Sequence, residues 1–159
     1  MNNPAAEIID TMREKKLTLG TVESATGGLI AHLITNVPGS SDVFQGSIVS
    51  YSNTIKMNVV GVKKTTLEKY GAVSSPVAAE MAEGGRKVLG VDICVVDTGI
   101  AGPGGTTPGK PVGLFYLGLS TKDGTVTQKH LFSGARDENK QQAAQTALTL
   151  VLDYLKKLQ

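Results

Sequence analysis

Three side chains able to attack a carbon or carry a proton stand at changes of element in this sequence: Ser24, Tyr51 and Lys56. Around Ser24, apolar Leu17, Leu19 and Val22 give way to Leu29, Ile30, Leu33 and Ile34 at three-and-four spacing. That change of period marks a strand, a tight polar turn and a helix buried on one face. A hydroxyl at such a junction has two uses. Ser24 or Thr26 can cap the helix by accepting a hydrogen bond from one of its first free N–H groups. Alternatively Ser24 is a nucleophile, with Gly27 and Gly28 letting a substrate approach backbone N–H groups that suit an oxyanion or a phosphate.

Tyr51 and Lys56 lie five positions apart, where a second strand gives way to helix. Taken singly, each also fits a surface or packing role. A third feature is the run from Asp97 to Lys110, with five glycines and two prolines between two apolar stretches. Long loops of this kind in compact domains are often functional. Within it, Gly104-Gly-Thr-Thr-Pro-Gly-Lys110 matches the start of a phosphate-binding P-loop, but Pro111 replaces the required Ser or Thr and a strand follows instead of a helix. The ATPase reading is therefore rejected, while phosphate binding by the loop's own N–H groups stays open. His32 and His130 have no partners at a ligand spacing, so no metal site is expected.

These residues need a scaffold, and the apolar pattern supplies one. Ala5, Ile8, Ile9 and Met12 mark an opening helix that ends in the charged Arg13-Glu-Lys-Lys16. A strand is expected over 43–51, and a short helix over 66–71 ending at Gly71. Ser75 followed by Pro76 predicts an N-cap and a helix to Leu89, with Val77, Ala78, Met81, Val88 and Leu89 facing a core and Gly90 as its stop. Residues 91–96 read as a buried strand, and 112–120 and 125–132 as a hairpin through Lys122-Asp-Gly124. A helix over about 137–158 closes the chain. The expected fold is a single α/β domain over 1–159, with three α/β/α layers, a mixed β-sheet and its site at the strand ends.

A chain of 159 residues can bury one full core. Its net charge of +2 is spread evenly, and aromatics make up only 4% with no Trp, which argues against nucleic acid as a partner. Cys94 is the only cysteine and sits in an apolar run, so it reads as core filling. With no apolar run of membrane-spanning length and no signal-like start, the expected location is the cytoplasm, away from membranes.

Glu23-Ser-Ala-Thr-Gly-Gly28, Pro38-Gly-Ser-Ser41, Tyr51-Ser-Asn53 with Lys56, Gly71-Ala-Val-Ser74, and Thr98-Gly-Ile-Ala-Gly-Pro-Gly-Gly105 followed by Lys110-Pro-Val-Gly113 occur in that order. Together they resemble the CinA C-terminal domain family, whose characterised members include nicotinamide mononucleotide deamidases. The resemblance runs from about residue 5 to 157. Where the family usually has Cys this chain has Ala25, and where it often shows Gly-Asp-Arg and a second Arg, this chain has Gly134-Ala-Arg136 and then Lys140. The larger nucleotide-processing domain often fused ahead of the module is absent from this sequence, so the stand-alone form is expected.

The resemblance implies hydrolysis of the carboxamide of nicotinamide mononucleotide, with Ser24 forming an acyl-enzyme. Lys56 or Tyr51 would take the Ser24 proton, Lys56 as base and Tyr51 as relay being the assignment adopted. N–H groups of Thr26, Gly27 and Gly28 are expected at the oxyanion. Thr98, Gly99, Ala101, Gly102, Gly105 and Arg136 are expected at ribose and phosphate. No metal or organic cofactor is implied, the partner is a small-molecule nucleotide, and a homo-oligomer is compatible with this reading. The rival is a pyridine-nucleotide-binding or regulatory module without turnover.

Overall fold

The computed structural model describes residues 4–158. Its strands are β1 (Leu19–Glu23), β2 (Phe44–Val49), β3 (Ile93–Gly99), β4 (Leu114–Thr121) and β5 (Gly124–Leu131), joined in one sheet of order β2-β1-β3-β4-β5. β2, β1 and β3 are parallel, and β4 and β5 extend the sheet antiparallel.

Strand alternation sends side chains to two different cores. Leu19, Ile93 and Val95 point to one face, where they meet α1 (Pro4–Lys15), α2 (Leu29–Thr35) and α6 (Arg136–Lys157). Val22, Cys94 and Val96 point to the other, under α5 (Ser75–Leu89), with α3 (Asn53–Asn58) and α4 (Lys64–Tyr70) packed alongside. The expected α/β fold with helices on both faces of a mixed sheet is the one observed.

Two glycines bring α5 close to its neighbours. A Cβ on Gly85 would stand 2.2 Å from Val22 Cγ2, and one on Gly84 only 1.8 Å from the Val60 carbonyl oxygen. The segment after α3 therefore lies directly against the α5 backbone.

Several boundaries differ from expectation. The α5 cap is Ser74, whose Oγ accepts from Val77 N–H, and Val88 on that helix is exposed. β3 continues through Asp97, Thr98 and Gly99, because the antiparallel pairing with β4 holds these residues extended. The Gly-rich connection thus starts at Ile100. α6 begins one residue early, at Arg136, and Phe132 falls just outside β5. No described helix is long and apolar enough to cross a membrane.

Candidate active site

Because β1, β2 and β3 are parallel neighbours, their carboxyl ends open on one edge of the sheet, the usual ligand site in such folds. The residues that follow, Ser24, Ser50 and Ile100, are brought together there. A cavity of about 230 Å³ opens at this edge, with Ser24, Ala25, Lys56 and Ile100 among its walls.

Ser24 and Lys56 are both buried, and Lys56 Nζ lies 2.9 Å from Ser24 Oγ. The lysine reaches this point from α3, a short helix started by Ser52, whose Oγ accepts from Ile55 N–H at 3.2 Å. Lys56 Nζ also donates to the main-chain carbonyls of Ser50 at 2.8 Å and Tyr51 at 3.0 Å. Two of its hydrogens thus have fixed acceptors. The remaining position faces Ser24, as a third N–H in the ammonium and as a lone pair in the free amine. Burial pushes Lys56 down to about 8, opposed by the charge of Asp97.

The Ser24 turn is held from below by two buried carboxyls. Glu23 accepts from the N–H groups of Gly28, Ile30 and Ala31 at 3.1, 2.8 and 2.9 Å, so it serves the free N-terminus of α2. Asp97 accepts from the N–H groups of Ser24 at 3.0 Å and Thr26 at 3.1 Å. Burial pushes the Asp97 carboxyl up to about 6, while hydrogen bonds from the Thr26 hydroxyl and the Ser24 N–H hold it down and the Glu23 charge raises it. Helix capping therefore falls to Glu23, and the Ser24 hydroxyl faces the amine.

The rim carries positive charge. Arg136, from the first turn of α6, donates to the Gly102 carbonyl at 2.9 Å and to the Tyr51 hydroxyl at 3.4 Å. The N–H groups of Ala101, Gly102, Gly104 and Gly105 donate to no protein acceptor. Gly102 and Gly105, with φ of +91° and +92°, turn this part of the loop. No Asp or Glu stands among the residues that line the cavity.

Residues 1–155 match the family model for the CinA C-terminal domain. The chain belongs to the CinA C-terminal domain family. A CinA-like protein of Leptospira borgpetersenii is 49% identical over 152 residues, 95% of this chain and 36% of its own length. A putative competence-damage inducible protein of Thermoanaerobacter pseudethanolicus is 48% identical over 148 residues, 93% of this chain and again 36% of its own. The chain thus spans about a third of the curated relatives it matches. Among solved structures, a CinA superfamily protein from Klebsiella pneumoniae superposes with a TM-score of 0.94 at 26% identity, covering 99% of both chains. A competence/damage-inducible protein from Agrobacterium tumefaciens superposes with a TM-score of 0.93 at 35% identity, covering 98% of this chain and 97% of its own.

In this CinA domain, Ser24, Tyr51, Lys56, Thr98, Gly99, Ala101, Gly105 and Arg136 all line the one cavity. Thr26, Gly27, Gly28 and Gly102 do not line it, for physical reasons. The N–H groups of Thr26, Gly27 and Gly28 already donate to Asp97, the Ser24 carbonyl and Glu23 respectively, so they have none left for an oxyanion. Within residues 24–28 the N–H without a protein acceptor is that of Ala25. Gly102 orients Arg136 through its carbonyl, and a Cβ there would stand 2.4 Å from Val112 Cγ1. Tyr51 is exposed, and its hydroxyl bonds to Arg136; the part of Tyr51 that touches Lys56 is its main-chain carbonyl. The expected relay through its phenol thus has no hydrogen bond to Ser24 or Lys56.

Glu23, Asp97 and Ala25 were missed as site residues. The available signal was alternation: Glu23 continues Leu19 and Thr21 on one face of β1, and Asp97 continues Ile93 and Val95 on the same face of β3. A carboxylate at an inward position of a buried strand marks a polar network. Among the described residues, no group of three or more His, Cys, Asp or Glu is arranged to hold a metal ion.

Proposed function

We propose that the chain hydrolyses the carboxamide of nicotinamide mononucleotide, releasing ammonia and nicotinate mononucleotide. The observation that carries this reading is the buried Ser24–Lys56 contact of 2.9 Å on a cavity wall, with Arg136 at the same cavity. A serine beside an amine of lowered proton affinity is a nucleophile with its base, and an acid-free rim with a guanidinium suits a phosphate.

In the first step the Ser24 proton passes to the Lys56 lone pair as Oγ bonds to the amide carbon. The Ala25 N–H faces the developing oxyanion. Lys56 then returns the proton to the amide nitrogen, the C–N bond breaks and ammonia leaves. Water gives a proton to Lys56 as it attacks the acyl ester, the C–Oγ bond breaks, and Lys56 returns the proton to Ser24 Oγ, freeing the acid. Meanwhile Arg136 and the N–H groups of Gly104 and Gly105 hold the phosphate. With Lys56 at about 8, on the order of a tenth of the enzyme holds the free amine at pH 7.

The test is release of ammonia and nicotinate mononucleotide by the purified chain and by Ser24→Ala, each with a thermal-shift measurement. Turnover lost in Ser24→Ala, with the nucleotide still raising the melting temperature, is the expected result. A thermal shift without turnover in the wild-type chain would instead favour the binding-module reading.

A further inference from the structure

Glu23 and Asp97 come from adjacent parallel strands whose register pairs Val22 with Val96, so the next residues stand side by side on one face. Both are fully buried, and no cation lies within salt-bridge distance of either among the described residues. Between them stands one hydroxyl: Thr26 Oγ1 is 2.7 Å from Glu23 Oε1 and 2.5 Å from Asp97 Oδ1. A threonine hydroxyl has a single hydrogen. If both carboxyls were ionised, one of these short contacts would be oxygen against oxygen with no hydrogen between, in a site that water does not reach. Two like charges this close raise the proton affinity of one of the pair.

We propose that Glu23 and Asp97 together hold one proton, carried by Asp97 and passed through the Thr26 hydroxyl, and that Asp97 acts as a neutral acid positioning the Ser24 turn. The donor count fixes which carboxyl is charged. Glu23 receives three N–H groups and one hydrogen from the Thr21 and Ser47 hydroxyls, which stand 2.6 Å apart with one bonded to the other, and so is the better stabilised as an anion. Asp97 receives two N–H groups. As an acid, its Oδ1 donates to Thr26 Oγ1 while still accepting from Ser24 N–H, and the Thr26 hydrogen goes to Glu23. Burial and the neighbouring Glu23 charge both raise the proton affinity of Asp97, the direction that the protonated form requires.

The consequence lies in Lys56, the base of the reading above, on which this part of the inference rests. The Asp97 charge is what opposes the lowering of Lys56. A neutral Asp97 orients the nucleophile's backbone without holding the lysine in its ammonium form. Other ionisable groups nearby are Arg136 and Lys140 on α6, the latter with Nζ 3.8 Å from where a Cβ on Gly27 would stand. His32 on α2 is exposed and bonded to Asn36, and Tyr116 on β4 packs on the opposite face.

Infrared spectroscopy in heavy water tests this without turnover, so failure of the amidase reading leaves the result interpretable. The folded wild-type chain at neutral pH is expected to show the carbonyl stretch of a protonated carboxylic acid, lost in Asp97→Asn. No such band in the wild type, or a band that survives in Asp97→Asn, overturns the proposal. If the chain turns over, the acid limb of the pH–rate profile is a second readout. It stays in place in Asp97→Asn if Asp97 is already neutral; a limb displaced to lower pH shows that a negative charge was removed beside Lys56 and overturns the proposal. Should Asp97→Asn not fold, Asp97→Ser takes its place with the same two outcomes, and absence of the band in the wild type overturns the proposal by itself.

Discussion

Lys56 is a buried amine with two carbonyls and a serine as its partners, and its ionisation has consequences for rate and for stability. For rate, kcat/KM is expected to rise about tenfold per pH unit below about 8 and to level off above it, as the free amine becomes the dominant form. A profile flat from pH 6 to 9 would remove Lys56 as base. For stability the sign follows from release order. Below about 8 both folded and unfolded chains hold the proton, and the folded state bears the full cost of a buried charge. Between about 8 and the ordinary 10.5 the folded state releases it first, so stability rises with pH. Urea unfolding of wild type and Lys56→Met should therefore diverge in favour of wild type by up to about 3 kcal/mol from pH 7 to 10.5. Parallel curves would contradict the assigned shift. Ser24, Tyr51 and Lys56 stand at changes of element, but the pattern alone fits a cap and surface positions equally, and it is the family resemblance that singles them out. Glu23 and Asp97 were not legible as site residues, since their meaning depends on the β1–β3 register, which no local pattern contains.

At the scale of elements, the site depends on how closely α3 can approach the core. Gly84 is the contact that sets this distance, through the Val60 carbonyl that follows α3. Gly84→Ala gains helix propensity of about 1 kcal/mol but must displace that carbonyl, and overpacking costs about 1–3 kcal/mol. The expected outcome is a lower urea midpoint together with a lower kcat, because Lys56 moves with α3. Gly104→Ala, which meets nothing within 4 Å, should stay within about 0.5 kcal/mol of wild type and serves as the control for stability alone. The helices and the hairpin were readable from periodicity and from Gly71, Gly90 and Asp123-Gly124. The end of β3 was not, because a run rich in Gly and Thr reads as loop until an antiparallel partner holds it extended.

For the whole molecule, three parallel strand ends deliver Ser24, the approach to the Lys56 helix and the start of the Gly-rich loop to one edge, while α6 brings Arg136 to the same cavity. Ser24 and Arg136, far apart in sequence, thus meet at the site, as the order of motifs does not reveal. Arg136→Ala should raise KM for the nucleotide about tenfold to a hundredfold with kcat little changed, the size expected for charge-assisted hydrogen bonds. An equal fall in kcat with KM unchanged would place Arg136 in the chemical step instead.

If the amide is cleaved through an ester on Ser24, hydroxylamine intercepts that ester. Added during turnover of nicotinamide mononucleotide, it competes with water for an acyl-enzyme. The wild-type chain is expected to form the hydroxamate at the expense of nicotinate mononucleotide, and Ser24→Ala to form neither. Undiminished nicotinate mononucleotide with no hydroxamate at high hydroxylamine would mean direct attack by water, and would contradict the serine route.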